Sequence, residues 1–337
     1  MKAPRSILVI CIRYLGDTLL LRPPLRALRK AFPAARIDVL VAGGTGVALE
    51  GCPHMDRVME WPVSSFGKVA WLGLGIFATG YDWAIDFTGN DRSSLVAILS
   101  RAGCRIAYAR PKKQRFSLRS LAFNKRVPYR RPKPHILVQR LELLSACGIA
   151  ADGLSCDLVP DPPLLERARE LTKGLPARRL HIHPTSRDMQ KAIPEVVLRG
   201  VLNHLVSEGW GVVVTTGRSE AERGHVRRAL PEVRDNCRIF SDLSWGELVA
   251  MVSTATGYWG CDTAPAHLAS ALEIPTRIEF GPSHAVHWKP LHSTGEAVVH
   301  PCACRSEQSG RRCPAGQPGR CLEAIRVDDV VRWAALT

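Results

Sequence analysis

Apolar residues along this chain come in short runs separated by longer stretches of helical spacing. Residues 7–13 (ILVICIR) form the first run, short and partly β-branched, as expected of a strand buried on both faces. Tyr14-Leu15-Gly16-Asp17 reads as a turn. Residues 18–32 then carry apolar positions at helical spacing, broken or restarted by Pro23-Pro24. Residues 36–42 (RIDVLVA) are a second strand. Residues 81–87 (YDWAIDF) are another, ending in the polar loop Thr88-Gly89-Asn90-Asp91-Arg92. A β-α-β opening implies a parallel sheet with helices on its faces, and open sheets of that kind bind ligands at the carboxyl ends of their strands. Residues 71–77 read as a buried helix face.

Between residues 151 and 178 the pattern is punctuated by Asp152-Gly153, Pro160-Asp161-Pro162-Pro163 and Lys173-Gly174-Leu175-Pro176, with room for one helix, and this segment reads as a linker. The alternation then starts again. Strands are expected over residues 179–183, 211–216, 237–240, 256–260 and 276–280, with helices over 196–208, 219–230 and 244–255. Ser244 and Glu247 have capping-box spacing. A chain of 337 residues exceeds one ordinary domain, so two α/β domains are expected. Their boundaries are placed at residues 1–160 and 177–321. Residues 322–337 are a final helix that can pack back on the first domain.

Composition sharpens this picture at two places. The formal net charge is +15, and between Arg92 and Leu141 there are 14 Lys or Arg and no acidic residue. A one-signed field of that length favours an anionic partner over a merely solvated loop. Seven of the eleven cysteines are scattered, several within apolar runs, and an odd count without a leader argues against a disulfide framework. The other four, Cys302, Cys304, Cys313 and Cys321, lie within 20 residues. They read either as a structural zinc site or as a Cys-rich loop of reduced thiols, since the spacing lacks paired Cys-x-x-Cys. The apolar runs are too short to span a bilayer and no signal peptide is visible, so the chain is expected to be cytoplasmic.

The candidate chemistry lies in Gly260-Cys261-Asp262-Thr263-Ala264-Pro265-Ala266-His267, where a strand ends and a helix begins. Thr263 can cap that helix and Pro265 suits its first turn, leaving free N–H groups and the positive helix end for a diphosphate. An ordinary capped helix would look the same. The difference is the company it keeps at other strand ends: Gly16-Asp17, Thr185-Ser186 followed by Lys191, Gly217 with Glu220, and Phe280-Gly281-Pro282.

In order and spacing these blocks resemble glycosyltransferase family 9, the ADP-heptose:lipopolysaccharide heptosyltransferases. The resemblance is carried by ILVICIRYLGDTLLLRPPLRALRKAFP, YDWAIDFTGNDRSS and CDTAPAHLASALEIPTRIEFGPS, and it extends over roughly residues 6–335. It departs from the family pattern at Ala264, where many members have Gly, and in lacking an aromatic residue shortly after Lys191. The resemblance implies a GT-B fold, two Rossmann-like domains with parallel sheets facing a central cleft. It implies an inverting transfer from an ADP-sugar, with Asp17 as general base and Lys191 offsetting charge on the leaving ADP; the helix terminus with Lys191, and the lack of an Asp-x-Asp motif in a suitable loop, predict metal-independent chemistry. Thr185, Ser186, Gly217, Glu220, Asp262, Thr263, Ala264 and His267 would hold the donor. Gly16, Asn90, Arg92, Lys112, Lys113 and Arg115 would meet an anionic glycolipid acceptor, with Arg119 beside them. Lys125, Arg126, Arg130 and Arg131 would face the inner-membrane surface. The alternatives are another nucleotide sugar, a Rossmann oxidoreductase, or a basic nucleic-acid-binding protein. The last is disfavoured by the few aromatic residues in the basic window and the lack of a helix-turn-helix or RNA-binding signature.

Overall fold

The computed structural model describes residues 3–63, 65–109, 121–130, 132–230, 235–281, 283–292, 294–300 and 320–337. The chain divides into two compact units, Met1–Asp157 and Leu158–Thr337.

In the first unit, strands β1 (Ser6–Cys11), β2 (Arg36–Ala42), β3 (Arg57–Trp61), β4 (Trp83–Asp86), β5 (Cys104–Tyr108) and β6 (Lys125–Val127) pair in the order β3-β2-β1-β4-β5-β6. Every pairing is parallel. The centre is β1, whose Ile7 and Val9 sit opposite Ile37 and Val39 on one side and Trp83 and Ile85 on the other. Apolar residues on both faces of β1 follow from helices covering both faces of the sheet. The segment expected to be one kinked helix is two: α1 (Leu15–Leu19) and α2 (Arg22–Ala31). Pro23 and Pro24 open α2, where their missing N–H groups would be unpaired anyway. The helices α3 (Phe66–Thr79), α4 (Asp91–Leu99) and α5 (Ile136–Ser145) follow. The expectation of a buried face over residues 71–77 is corrected, because Ile76 is the only fully buried residue of α3.

In the second unit, β7 (Arg179–His183), β8 (Gly211–Thr215), β9 (Cys237–Phe240), β10 (Gly257–Cys261), β11 (Thr276–Phe280) and β12 (Gly295–Val299) pair in the order β12-β11-β10-β7-β8-β9, again all parallel. Counted from its own first strand this is the same winding as the first unit. Each order reverses once, between β1 and β4 and between β7 and β10, and a crevice at the carboxyl ends of those strands is where such a sheet takes a ligand. Gly260 faces β7 so closely that a Cβ there would lie 2.5 Å from the carbonyl oxygen of His183.

The division between the units differs from the expected linker. Helix α6 (Pro162–Leu171) packs against α9 (Trp245–Ser253), and Ala168 and Leu175 join Val213, Ala250 and Met251 in one core. The segment after Asp157 therefore belongs to the second unit. So does the last helix, α12 (Val327–Ala335), for which packing on the first domain was expected. It lies on α7 (Glu195–Ser207), with Val330 and Ala334 buried against Val201 and Leu205.

Candidate active site

At the first reversal point Asp17 lies within α1 rather than in a turn ahead of it, and its side chain is only 4% exposed. Its partner comes from far along the chain. Arg140 on α5 places Nη2 3.1 Å from Asp17 Oδ1 and donates through Nη1 to the Asp17 main-chain carbonyl at 2.6 Å. The same guanidinium reaches Cys11 Sγ at 3.4 Å and lies 5.7 Å from the Phe87 ring centre. Asp17 Oδ2 accepts no hydrogen bond among the described residues, which leaves that oxygen available to a proton donor.

The neighbouring strand end is knitted to this one. Thr88 Oγ1 accepts from the Ile12 N–H at 2.8 Å. Asp86 accepts from Ser93 Oγ at 2.7 Å and from the N–H groups of Thr88 and Gly89. Burial nevertheless pushes the Asp86 carboxyl up to about 6, because these neutral donors offset the cost of a buried charge only in part. Asn90 caps α4: its side chain accepts from the Ser93 N–H at 2.9 Å while Ser93 Oγ accepts from the Asn90 N–H at 3.0 Å. Of the expected acceptor contacts, Gly16 and Asn90 stand at these strand ends and Arg92 is exposed on the first turn of α4. Lys112, Lys113 and Arg115, with Arg119, lie outside the described residues, as does Arg131.

At the second reversal point the expected donor residues converge. Lys191 ends a single 3-10 turn, Met189–Lys191, and its Nζ is 2.9 Å from Asp262 Oδ2 and 3.4 Å from the Asp262 carbonyl oxygen. Asp262 follows β10 and Ala264 begins α10 (Ala264–Ala271), with Pro265 in the first turn. Thr263 is the capping residue by position, but its side chain makes no capping hydrogen bond. His267 Nε2 lies 3.8 Å from Asp262 Oδ1, and its ring is 5.7 Å from Trp288 on α11 (Ala285–Trp288). Thr185 ties β7 to its neighbours: its carbonyl accepts from Cys261 Sγ at 3.2 Å and its hydroxyl donates to Glu222 Oε1 at 3.4 Å. Ser186 is buried beside it.

Glu220 is not brought to this place. It sits on the outer side of α8 (Glu220–Ala229), two-thirds exposed and paired with Arg223 and Arg227. Glu222 stands there instead, buried, with Ser219 Oγ donating to its Oε2 at 2.7 Å. It packs so tightly on Gly217 that any Cβ at that position would collide with the carboxylate. The nearby His183 and His181 both bond Thr215 Oγ1, at 2.9 and 2.8 Å. Burial pulls His183 down to about 4 and His181 to about 3, so both are neutral near pH 7 and neither supplies positive charge at this strand end.

Of the four clustered cysteines, Cys321 is half-buried against the second core, while Cys302, Cys304 and Cys313 lie outside the described residues. Among the described residues no helix is long and apolar enough to cross a membrane.

The model of glycosyltransferase family 9 (heptosyltransferase) matches residues 71–316. The chain belongs to glycosyltransferase family 9. This family 9 glycosyltransferase is 25% identical over 293 residues to lipopolysaccharide heptosyltransferase 3 of Escherichia coli, covering 83% of this chain and 84% of the relative. It is 25% identical over 303 residues to lipopolysaccharide heptosyltransferase 1 of Pseudomonas aeruginosa, covering 82% and 79%. Among solved structures, a family 9 glycosyltransferase from Veillonella parvula superposes with TM-score 0.80 at 18% identity, covering 100% of this chain and 98% of the other. The ADP-heptose heptosyltransferase II of Escherichia coli does so with TM-score 0.77 at 19% identity, covering 98% of each. These likenesses carry the fold: GT-B, with two Rossmann-like units.

Three polar residues of this enzyme's strand ends escape a reading of sequence: Arg140, Glu222 and Asp86. Arg140 is hidden inside the basic window. Glu222 carried a signal, since Ser219-Glu220-Ala221-Glu222 has the capping spacing that also marks Ser244 and Glu247.

Proposed function

We propose that this enzyme moves a heptose from ADP-heptose to a hydroxyl of an anionic lipopolysaccharide inner-core glycolipid, with inversion, at the cytoplasmic face of the inner membrane. The observation that carries the reading is the Lys191–Asp262 pair held at the uncapped start of α10. Asp262 fixes the Lys191 ammonium beside the positive end of α10, and the ammonium and the helix end together would offset charge where a diphosphate leaves. With that charge in place, the departing ADP needs no metal ion.

In the reaction the acceptor oxygen attacks the anomeric carbon and its proton passes to Asp17 Oδ2. The bond from that carbon to the β-phosphate oxygen breaks, and the electron pair leaves on ADP. Arg140 holds the other carboxylate oxygen of Asp17 and so aims the base. Arg92 and the Lys112, Lys113 and Arg115 cluster would meet acceptor anions. The heptose and the lipopolysaccharide acceptor are supported by relatives named lipopolysaccharide heptosyltransferases.

Calorimetric titration with ADP and a transfer assay with ADP-heptose test this. Asp17→Ala should keep ADP affinity and slow transfer by about 10²–10⁴-fold, the range for loss of a general base. Asp262→Ala should lose ADP affinity. Wild-type transfer rates from Asp17→Ala would refute the assigned base. A UDP- or GDP-sugar that stabilises the protein more than ADP-sugars in a thermal-shift panel would refute the donor.

A further inference from the structure

Helix α3 has no polar face. It carries one charge, Lys68, in fourteen residues, and its inner stripe is Val69, Leu72, Gly73 and Ile76. At about 100° per residue Ala70, Trp71 and Leu74 turn away from that stripe, and Phe66 and Phe77 flank it. Phe66 is 91% exposed, Trp71 77% and Leu74 61%. Leu95 and Ile98, on the outer stripe of the adjoining α4, are also exposed and extend the apolar surface. A contiguous patch of large apolar side chains on a soluble unit marks a surface that meets something.

The charge around it selects what. Between residues 61 and 101 the chain carries Lys68, Arg92 and Arg101 against Asp82, Asp86 and Asp91. Asp82 is occupied by the N–H groups of Arg5 and Ser6, and Asp86 is buried. Arg101 lies at the patch itself, its guanidinium 5.0 Å from the Phe77 ring centre, with Lys68 and Arg92 on the same two helices. A second copy of this chain would oppose like charges across the contact. An anionic bilayer complements them, and aromatic and aliphatic side chains framed by Lys and Arg suit the headgroup boundary. A helix of this length falls short of the roughly 20 residues needed to cross a bilayer, so it can lie only in the interface.

We infer that the outer face of α3, with Leu95 and Ile98 of α4, docks the first unit onto an anionic lipid bilayer. The surface stands on its own residues; its purpose, delivering the enzyme to a membrane-borne acceptor, rests on the function proposed above. The test is co-sedimentation of the full chain with phosphatidylglycerol-containing vesicles and with pure phosphatidylcholine vesicles, beside W71E/L74E. Wild type should sediment with the anionic vesicles, less so at high salt, and the variant should partition about tenfold or more weakly. The variant should keep its melting temperature, its ADP affinity and its transfer to a delipidated, soluble core oligosaccharide. Equal partitioning of variant and wild type, or equal binding of wild type to neutral vesicles, overturns the inference. So does a wild-type dimer in size exclusion that the variant loses without any vesicle binding, which assigns the face to a second copy. If vesicle binding behaves as expected but no heptose reaches the soluble acceptor, the proposed reaction fails alone.

Discussion

Replacing Arg140 by Met keeps the aliphatic volume of a residue that is 1% exposed and leaves the Asp17 carboxylate, 4% exposed, without its counter-charge. Two unit charges 3.1 Å apart attract by about 5 kcal/mol at an effective dielectric constant of about 20. Removing one partner of a buried pair costs about 3–5 kcal/mol, mostly the penalty of the stranded charge. At about 2–4 °C per kcal/mol for a unit of this size, the transition of the first unit should fall by roughly 6–20 °C. Scanning calorimetry of the full chain should show that drop, with the second unit's transition unmoved. Adding Asp17→Asn removes the stranded charge and should recover more than half of the loss. A shift under about 2 °C for Arg140→Met, or no recovery in the double variant, would refute the claim that the pair, rather than general packing, holds α1 to α5.

Three further outcomes follow from the second unit. Lys191→Ala should lower kcat by about 10²-fold, the scale for losing one preorganised positive contact to developing charge, as read in a steady-state transfer assay. Glu222→Gln should weaken ADP binding by about tenfold, or about 1.4 kcal/mol, whereas Glu220→Ala, on the outer side of α8, should leave calorimetric affinity within about twofold. His183 and His181 titrate lower when folded, to about 4 and about 3 from 6.5, so the unfolded chain takes up protons that the folded chain refuses. Their contribution is complete above pH 6.5 and is lost as pH falls from there toward 4, by about 1.4 kcal/mol per histidine per pH unit. Denaturant titrations across that window should show the loss, and His183→Asn should reduce the slope by about one proton.

Most of the fold is legible because parallel strands buried on both faces appear as unbroken apolar runs such as ILVICIR and GVVVT, and their ends mark where ligands bind. What is not legible depends on distance or on neighbours. Arg140 looks like one more cation in a basic window, and nothing local says that it is buried 123 positions from Asp17. Glu220 and Glu222 share one helical turn, and only the phase of α8 decides which turns inward; the capping spacing from Ser219 was the clue. Helix α3 misleads in the opposite sense. An all-round apolar helix ordinarily lies inside a protein, and no periodicity reveals that most residues of α3 are exposed. The short helix α6 looked like part of a linker because Pro and Gly bracket it, yet Ala168 supplies a core contact too small to stand out in a pattern.

The two sheets share one winding, yet they finish it differently after the fourth strand. In the first unit Asn90 and Ser93 answer each other's amides and Asp91 adds a negative charge to the first turn. In the second, the Thr263 side chain makes no cap at the start of α10, its first turn holds no acid, and Asp262 before it is already matched to Lys191. Repetition of an architecture thus does not repeat its chemistry. The sheet offers two equivalent strand ends, and a handful of capping atoms decides that one helix start is answered by its own side chains while the other is left uncapped by Thr263.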